Sequence, residues 1–258
     1  MTVPSAGSLK PARPVFAATV ARTEWLSPTM VRVILTGPEL AAVPDLPFAD
    51  TYVKLRFGDA VRAYTVRSRD HEANELAIDF VVHGDQGLAG PWAAAAKPGD
   101  AITFLSPGGD WAPRPDAQAH LLVGDEAAIP AIAAALERMP ASAVVMAFVE
   151  VESAEHHVDL PVTDHTQVMW VHRDEHGGAY GPGLVKAVTE VPFPVGDVEA
   201  FVHGNADMVK PLRRYLLRER GMDRAHLSIS GYWRTHHTDE DWRAIKRDFN
   251  AAMEADTA

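Results

Sequence analysis

The segment Arg62-Ala63-Tyr64-Thr65 brings a cation, an aromatic ring and a hydroxyl together within four residues. If the segment is a strand, alternation places Arg62 and Tyr64 on one face. A guanidinium pairs bidentately with phosphate oxygens, a tyrosine stacks on a flat ring or bonds to a polyol, and a threonine supplies a further hydroxyl. These groups suit the pyrophosphate, the flat ring and the polyol chain of a flavin dinucleotide. Exposed strands also carry such a pattern by chance.

A glycine-bearing turn follows and leads into the start of a short helix. Residues 79–83 predict the end of a strand, and Gly87, Ala89 and Gly90 come directly after it. Small residues let the backbone approach an anion closely, and amides at a helix start suit a pyrophosphate. His83 lies between the strand and the turn, where it either contacts a cofactor or is purely structural.

A second strand, turn and helix start occur at Gly124-Asp125-Glu126-Ala127. This is the usual place for a nucleotide in a doubly wound sheet, but the segment lacks the Gly-x-Gly-x-x-Gly pattern. Because Asp125 and Glu126 would repel a pyrophosphate, we expect them to cap the helix amides or face a neutral group, with the phosphates bound elsewhere. Simple helix capping explains both residues equally well.

The strand at 168–172 is followed by Arg173, at the edge of the predicted sheet. An arginine at such an edge can bind the 2′-phosphate of NADPH, which favours NADPH over NADH as electron donor. The alternative is an ordinary solvated arginine. His203-Gly204-Asn205 repeats the arrangement of a strand, a glycine and a helix start.

The composition excludes several other kinds of chemistry. The chain has 258 residues and no cysteine, which removes disulfides, thiol nucleophiles, thiolate-bound zinc and four-cysteine iron–sulfur clusters. Its net charge of -11 argues against nucleic acid as the main partner. No apolar run reaches the roughly 20 residues of a membrane span, so we expect no membrane insertion. No histidines follow a His-Glu-x-x-His pattern, so we expect no protein-bound metal.

The first part of the chain predicts a β-barrel. Residues 1–13 are polar and proline-bearing, which indicates a flexible tail on a cytoplasmic protein rather than a secretory signal. Residues 14–116 contain short β-rich runs separated by turn residues, typical of an antiparallel barrel of the six-stranded type. One short helix is predicted at 91–97.

The second part, residues 117–258, alternates strands with helices. This order predicts an α/β domain with a doubly wound parallel sheet. Residues 238–254 carry apolar side chains at helical spacing and predict an amphipathic closing helix, with Thr238 and Asp241 as a capping pair.

In combination, these segments resemble the siderophore-interacting proteins, a branch of the ferredoxin-reductase-like flavoenzymes. Each matching piece is modest alone, but their order and spacing are specific and span almost the whole chain. The pieces are Arg62-Ala63-Tyr64-Thr65-Val66-Arg67, residues 79–84, Gly90-Pro91-Trp92 with Pro98-Gly99-Asp100, residues 124–132 and Ser230-Gly231-Tyr232-Trp233-Arg234.

The resemblance implies a ferric-siderophore reductase that passes hydride from NADPH or NADH to FAD and then single electrons to iron(III). The flavin carries the chemistry, and no protein side chain is catalytic. The expected FAD-binding residues are Arg62, Tyr64, Thr65, Asp79, His83, Gly87, Leu88, Ala89, Gly90 and Trp92. The expected NAD(P)H-binding residues are Gly124, Asp125, Glu126, Ala127, Arg173, His203 and Gly204.

Two positions depart from the family pattern. Relatives often carry threonine where this chain has Ala127, and glutamate where it has Asn205. The first change removes a hydroxyl that could contact the cofactor, and the second removes a charge.

The last third of the chain is locally basic, although the chain as a whole is acidic. We expect this part of the chain to contain the acceptor site. A basic surface near the flavin would attract an anionic ferric siderophore, although a solvated helix face explains at least half of these charges. The expected acceptor-site residues are Tyr232, Trp233, Arg234, Arg214 and Lys246.

Two other functions remain open. The nearest is a flavin-dependent NAD(P)H oxidoreductase of the same fold with another acceptor, such as a quinone, a free ferric chelate or a partner protein. The other is a siderophore-binding carrier without catalysis, which would leave the two cofactor segments without a purpose. The sequence does not set the oligomeric state, and a monomer is our expectation.

Overall fold

The structure is a computed structural model that describes residues 13–84 and 87–256. In its first half, buried and partly exposed side chains alternate along the strands. In β3 (Tyr52–Phe57), Val53 and Leu55 are fully buried while the residues around them are not. This alternation produces one apolar face and one wetter face, as a closed antiparallel barrel requires.

Six strands form the barrel. Besides β3 they are β1 (Val15–Ser27), β2 (Met30–Thr36), β4 (Ala60–Asp70), β5 (Glu75–Val81) and β6 (Ala101–Gly108). They pair in the order β1-β2-β5-β4-β3-β6, each pair is antiparallel, and β6 closes on β1. The predicted barrel is confirmed.

A short helix, α1 (Ala89–Ala95), packs against β2 and β5. Ala89 and Ala93 are buried in the barrel core because their small side chains allow the helix to approach the strands. The helix begins two residues before the predicted 91–97, so that Pro91 lies in its first turn, where its missing amide hydrogen is not needed.

Five parallel strands form the second sheet: β7 (Ala119–Asp125), β8 (Val144–Val151), β9 (Thr166–His172), β10 (Val198–Asn205) and β11 (Leu227–Trp233). Their order is β11-β10-β7-β8-β9. The chain adds strands first on one side of β7 and then on the other, which confirms the doubly wound prediction. The switch point lies between β7 and β10, and ligands bind outside the carboxyl ends of such strands.

Helices cover both faces of this sheet. On one face α2 (Ile129–Arg138) packs in a core shared with Trp111. On the other, α3 (Pro182–Glu190) and α4 (Ala206–Arg214) share a core, and a π-helical turn at Tyr215–Glu219 continues α4. The predicted boundary near residue 116 lies in the connection from β6 to β7, and the division into two domains stays a prediction.

The last helix, α5 (Asp239–Ala255), starts with the predicted capping box, in which Thr238 and Asp241 bind each other's main-chain amides. Its Trp242 is buried, while Lys210 of α4 pairs with Asp256 just beyond the helix at 2.6 Å. The helix therefore runs from α4 to the edge of the barrel, where its first residues contact β4.

Among the described residues, no helix is long and apolar enough to cross a membrane. Within residues 13–84 and 87–256, no group of three or more His, Asp or Glu side chains is arranged to bind a metal ion.

Candidate functional site

A cavity of about 1510 Å³ opens between the barrel and the carboxyl ends of β7 and β10. Pockets for one small molecule usually measure about 300–1,000 Å³, so this one has room for more than one ligand. We name three walls by their lining residues: the barrel wall (between 50 and 111), the sheet wall (between 125 and 233) and the helix wall (between 234 and 246).

Arg62 lies in the barrel wall, on β4, and carboxylates of the helix wall bind its guanidinium. Its Nη1 is 2.7 Å from Glu240 Oε1 and 3.3 Å from Asp239 Oδ2. The Arg62 side chain is 17% exposed, whereas that of Glu240 is 61% exposed. Because ion pairs with an exposed partner contribute little to stability, a phosphate in the cavity can replace Glu240 at small cost.

Tyr64 and Thr65 follow Arg62 and also line the cavity. The Tyr64 ring packs 4.4 Å from that of Phe80, between centroids, and burial raises the pKa of Tyr64 to about 12. Its hydroxyl therefore remains protonated at neutral pH. Thr65, on β4, lies near enough to Tyr232, on β11, to affect its hydroxyl, so the barrel wall and the sheet wall meet at these two residues.

The turn after β5 completes the barrel wall. Arg32 binds the buried carboxylate of Asp79 bidentately at 2.6 and 2.9 Å, which compensates its charge. Burial lowers the pKa of His83, so its ring is neutral at neutral pH. Residues 87–90 line the cavity as well, where the small Gly87, Ala89 and Gly90 leave main chain accessible to a ligand.

Trp92 is the one expected FAD-binding residue of the barrel that the structure does not bring to the cavity. Its ring lies 5.6 Å from Phe57 and 5.7 Å from Phe80, between centroids, and packs on the barrel core. Because α1 turns this side chain towards the barrel interior, the structure gives the expected cofactor contact at Trp92 no support, and the contact stays a prediction.

Asp125 lies at the carboxyl end of β7 and is completely buried. Its carboxylate accepts hydrogen bonds from the Ala127 amide at 2.9 Å, the Asn205 amide at 2.7 Å and Trp233 Nε1 at 2.8 Å. Burial, and then the charge of Glu126, raise the pKa of Asp125 to about 7. One side chain thus connects the ends of β7, β10 and β11, and its bond to Ala127 belongs to the turn before α2, whose N-cap residue Ala128 has no side-chain cap.

Glu126 does not cap the helix, contrary to our expectation. Its carboxylate forms a bidentate ion pair with Arg173 at 2.8 and 2.5 Å, and both side chains are 5% exposed. The Arg173 guanidinium also lies 4.0 Å from the centre of the Tyr180 ring. Glu126 lines the cavity but Arg173 does not. The Arg173 guanidinium is therefore paired away from the cavity, and its expected contact with a 2′-phosphate stays a prediction.

Gly124 and Gly204 are packing positions rather than cavity positions. A Cβ on Gly204 would lie 2.7 Å from the Asp125 carboxylate carbon, and one on Gly124 would lie 2.4 Å from Ala128 Cβ. His203 does line the cavity, stacked on Phe201 at 3.8 Å and 2.9 Å from Ser228 Oγ. Burial lowers the pKa of His203 to about 3, so its ring is neutral.

Tyr232 and Trp233, at the end of β11, line the cavity as expected from the sequence. Burial raises the pKa of Tyr232. Trp233 meets the Tyr180 ring edge to face at 4.7 Å. Because Trp233 Nε1 also donates to Asp125, the position of this ring is determined on two sides.

The helix wall supplies cations. Arg234 lies in it with Nε 3.0 Å from Asp207 Oδ1, and burial lowers the pKa of Lys246. Arg214, in contrast, is exposed on α4 and does not line the cavity, so the structure does not bring it to the other expected acceptor-site residues and its role stays a prediction. The helical spacing of the basic residues on α4 gave no information about which face meets the cavity.

Lys54 and Tyr180 are among the lining residues that sequence reasoning missed. Lys54 projects from β3 between buried Val53 and Leu55, so alternation along the strand was a usable signal. Tyr180 follows a glycine-rich loop and gave no local signal, because its role depends on Arg173 and Trp233, which are distant in sequence.

Comparison with known proteins assigns the family. Residues 117–236 match the model of the siderophore-interacting proteins, and residues 19–60 and 58–111 match that of the siderophore-interacting FAD-binding domain. The chain belongs to the siderophore-interacting proteins. Both the predicted resemblance and the predicted fold are confirmed.

Individual members of the siderophore-interacting proteins resemble this chain along most of its length. Ferric vibriobactin reductase ViuB of Vibrio cholerae is 32% identical over 244 residues, which are 85% of this chain and 89% of that protein. A siderophore utilization protein from T. fusca is 34% identical, with a TM-score of 0.78 and coverage of 88% and 95%. SipS from Aeromonas hydrophila is 30% identical, with a TM-score of 0.80 and coverage of 93% and 99%.

Proposed function

We propose that this protein is an FAD-dependent ferric-siderophore reductase that takes its electrons from NAD(P)H. The observation that carries the proposal is the cavity, in which the barrel wall, the sheet wall and a cationic helix wall face one common space. The similarity to ViuB, named as a ferric vibriobactin reductase, supports the same assignment.

The barrel wall fits FAD by the chemistry of its groups. Arg62 would bind the pyrophosphate, Tyr64 the ring or ribityl chain and Thr65 a polar edge, while the backbone at 87–90 permits close approach. When bound, FAD supplies the conversion of a two-electron hydride donor into single-electron delivery to iron(III).

The sheet wall fits the nicotinamide cofactor, since it is the carboxyl edge of the sheet at its switch point. Ala127, His203 and Trp233 present groups to the cavity that are neutral at neutral pH. Thr65 and Tyr232 lie where this wall meets the barrel wall, so the two cofactor surfaces are adjacent.

The cations of the cavity fit an anionic acceptor. A ferric catecholate or carboxylate complex would be attracted by their field, which raises its local concentration. Five such side chains line the cavity outside the Arg62 position: Lys54, Arg224, Arg234, Arg243 and Lys246. Oxygen chelators hold iron(III) much more tightly than iron(II), so reduction would release iron from the siderophore into the cytoplasm.

The test uses purified protein reconstituted with FAD under anaerobic conditions. NADH or NADPH oxidation is followed with and without a panel of ferric siderophores, and iron(II) is measured with a chromogenic trap. We expect donor oxidation to depend on at least one ferric siderophore and to match iron(II) formation at two iron(II) per donor.

Three results would overturn parts of the proposal separately. Failure to retain FAD would remove the flavoenzyme assignment. Reduction of the flavin without stimulation by any ferric siderophore would leave an oxidoreductase with another acceptor. Binding of ferric siderophore without flavin reduction by either donor would indicate a carrier.

A further inference from the structure

The Glu126–Arg173 ion pair lies at the edge of the sheet where a nucleotide is expected to bind, but its guanidinium does not face the cavity. Arg173 is 4% exposed, is bound bidentately by Glu126 and stacks on Tyr180. A guanidinium with these partners has little capacity for another anion. The carboxylate of the pair, in contrast, belongs to the residue that lines the cavity.

The carboxylates around this pair outnumber its single guanidinium. Asp125 lies next to Glu126 in the chain and feels its charge, and Glu150 accepts the Gly181 amide with both oxygens at 3.0 Å. Burial is the main cause that raises the pKa of both Asp125 and Glu150 to about 7. These raised pKa values leave Asp125 and Glu150 only partly ionised at neutral pH, but the bidentate pairing with Glu126 already compensates the single guanidinium, so a phosphate that approached Arg173 would find no net positive charge.

A ribose hydroxyl and a phosphate respond to this arrangement in opposite ways. A carboxylate accepts a hydrogen bond from a 2′-hydroxyl, whereas a 2′-phosphate needs a cation, usually arginine. NADH and NADPH differ at this position alone, so the charge of the sheet wall decides between them.

We infer that Glu126 is a specificity-determining residue: it sequesters Arg173 in a buried ion pair and so makes the site select NADH over NADPH. The inference rests on the proposed use of a nicotinamide donor at the sheet wall. It reverses the preference for NADPH that Arg173 indicated in the sequence.

The first experiment measures binding, so that it does not depend on turnover. Dissociation constants for NAD⁺ and NADP⁺ are determined by isothermal titration calorimetry on the FAD-loaded protein, and anaerobic flavin reduction by NADH and NADPH is measured in parallel. We expect the wild-type protein to prefer the form without the 2′-phosphate by at least about tenfold, which corresponds to about 1.4 kcal/mol.

The second experiment uses Glu126→Gln, which keeps the side-chain shape and removes the charge. We expect NADP⁺ affinity to rise so that the preference shifts by about tenfold, with NAD⁺ affinity nearly unchanged. The double variant Glu126→Gln/Arg173→Gln should lose this gain, because no guanidinium remains, and it leaves no buried unpaired charge that could unfold the protein.

Glu137→Gln is the matched control. Glu137 forms a similar bidentate pair with Arg67, at 2.7 and 2.8 Å, on the side of α2 that faces β4 outside the main cavity. Its loss should leave the preference unchanged. Equal or better binding of NADP⁺ by the wild-type protein, or an unchanged preference in Glu126→Gln, would overturn the inference. Binding of neither nucleotide would instead overturn the proposed donor, and the inference with it.

Discussion

The barrel wall and the sheet wall face each other across one cavity, yet they hold their charged groups differently. Arg62, in the barrel wall, pairs with Glu240, whose side chain is 61% exposed. Arg173, behind the sheet wall, pairs with Glu126, whose side chain is 5% exposed. The same residue type, expected to bind phosphate at both places, is accessible at one and sequestered at the other.

The difference follows from how each wall is built. On β4, the alternation of side chains along the strand directs Arg62 to the cavity. A ligand can therefore compete with Glu240 for the guanidinium. At the sheet wall the strand ends are joined by buried charges, and Asp125 alone accepts from three donors. A phosphate can therefore compete for an arginine more readily where the existing partner of that arginine is exposed.

The largest expected effect concerns the buried side of this comparison. Asp125→Ala should lower the free energy of unfolding by about 3 kcal/mol, because two amides and Trp233 Nε1 lose their acceptor, and each buried unsatisfied group costs about 1–3 kcal/mol. Chemical denaturation measures the change. Asp125→Asn keeps one acceptor oxygen and should cost less.

Asp110→Ala is the control on the barrel wall, since Asp110 also lines the cavity but is exposed. Its effect should stay within about 0.5 kcal/mol. A cost below about 1 kcal/mol for Asp125→Ala would show that the strand ends are not joined through this carboxylate.

Arg62→Ala tests the accessible side. Loss of a charge-assisted hydrogen bond of about 1.5–3 kcal/mol should weaken FAD binding roughly 10- to 100-fold. Titration of the apoprotein with FAD, followed by flavin fluorescence, gives the dissociation constant. Arg56→Ala, an exposed arginine on β3 outside the cavity, should leave it unchanged. Unaltered FAD affinity in Arg62→Ala would exclude Arg62 as the phosphate-binding group.

Lys246→Ala tests the helix wall. We expect a smaller effect, because several other cations also attract the anionic siderophore. The KM for an anionic ferric siderophore should rise roughly three- to tenfold, about 1 kcal/mol, while FAD content stays constant. The neighbouring Arg247→Ala is a matched control, because Arg247 is 94% exposed and does not line the cavity. Equal effects of both substitutions would indicate general surface attraction instead of a cavity site.

Glu240→Gln should have the smallest effect. It removes the exposed charge that competes with a phosphate for Arg62, so FAD should bind more tightly, by less than about fivefold. The gain should shrink at high salt, where the wild-type pair is already screened. A weaker affinity in Glu240→Gln would mean that Glu240 orients Arg62 for the cofactor instead of competing with it.

Local patterns predicted most of the fold. Alternation placed β3 and β4, and the capping pair Thr238 and Asp241 marked the start of α5 within one helical turn. These signals are local because hydrogen bonds and side-chain direction within one element depend on neighbouring residues. The order of elements then predicted the barrel and the doubly wound sheet.

Partnerships across the sequence could not be predicted in this way. Glu126 and Arg173 are 47 positions apart, Asp125 and Trp233 are 108 apart, and Arg62 and Glu240 are 178 apart. Nothing in the surroundings of Arg173 in the chain indicates that a carboxylate from another strand end will bury it. The sequence therefore predicted which residues gather at the site more reliably than which of them a ligand can reach.

Close packing around Asp125 limits the substitutions that this site can accept during evolution. Gly204 has a φ of 134°, and any side chain there would meet the Asp125 carboxylate. Gly124 is equally confined by Ala128. Gly204 is therefore doubly constrained, by its backbone conformation and by the adjacent carboxylate, and a change at Asp125 would remove only the second constraint. The cations of the helix wall are not confined by this packing. Substitutions there can therefore change the acceptor preference, while the residues at the strand ends are kept together.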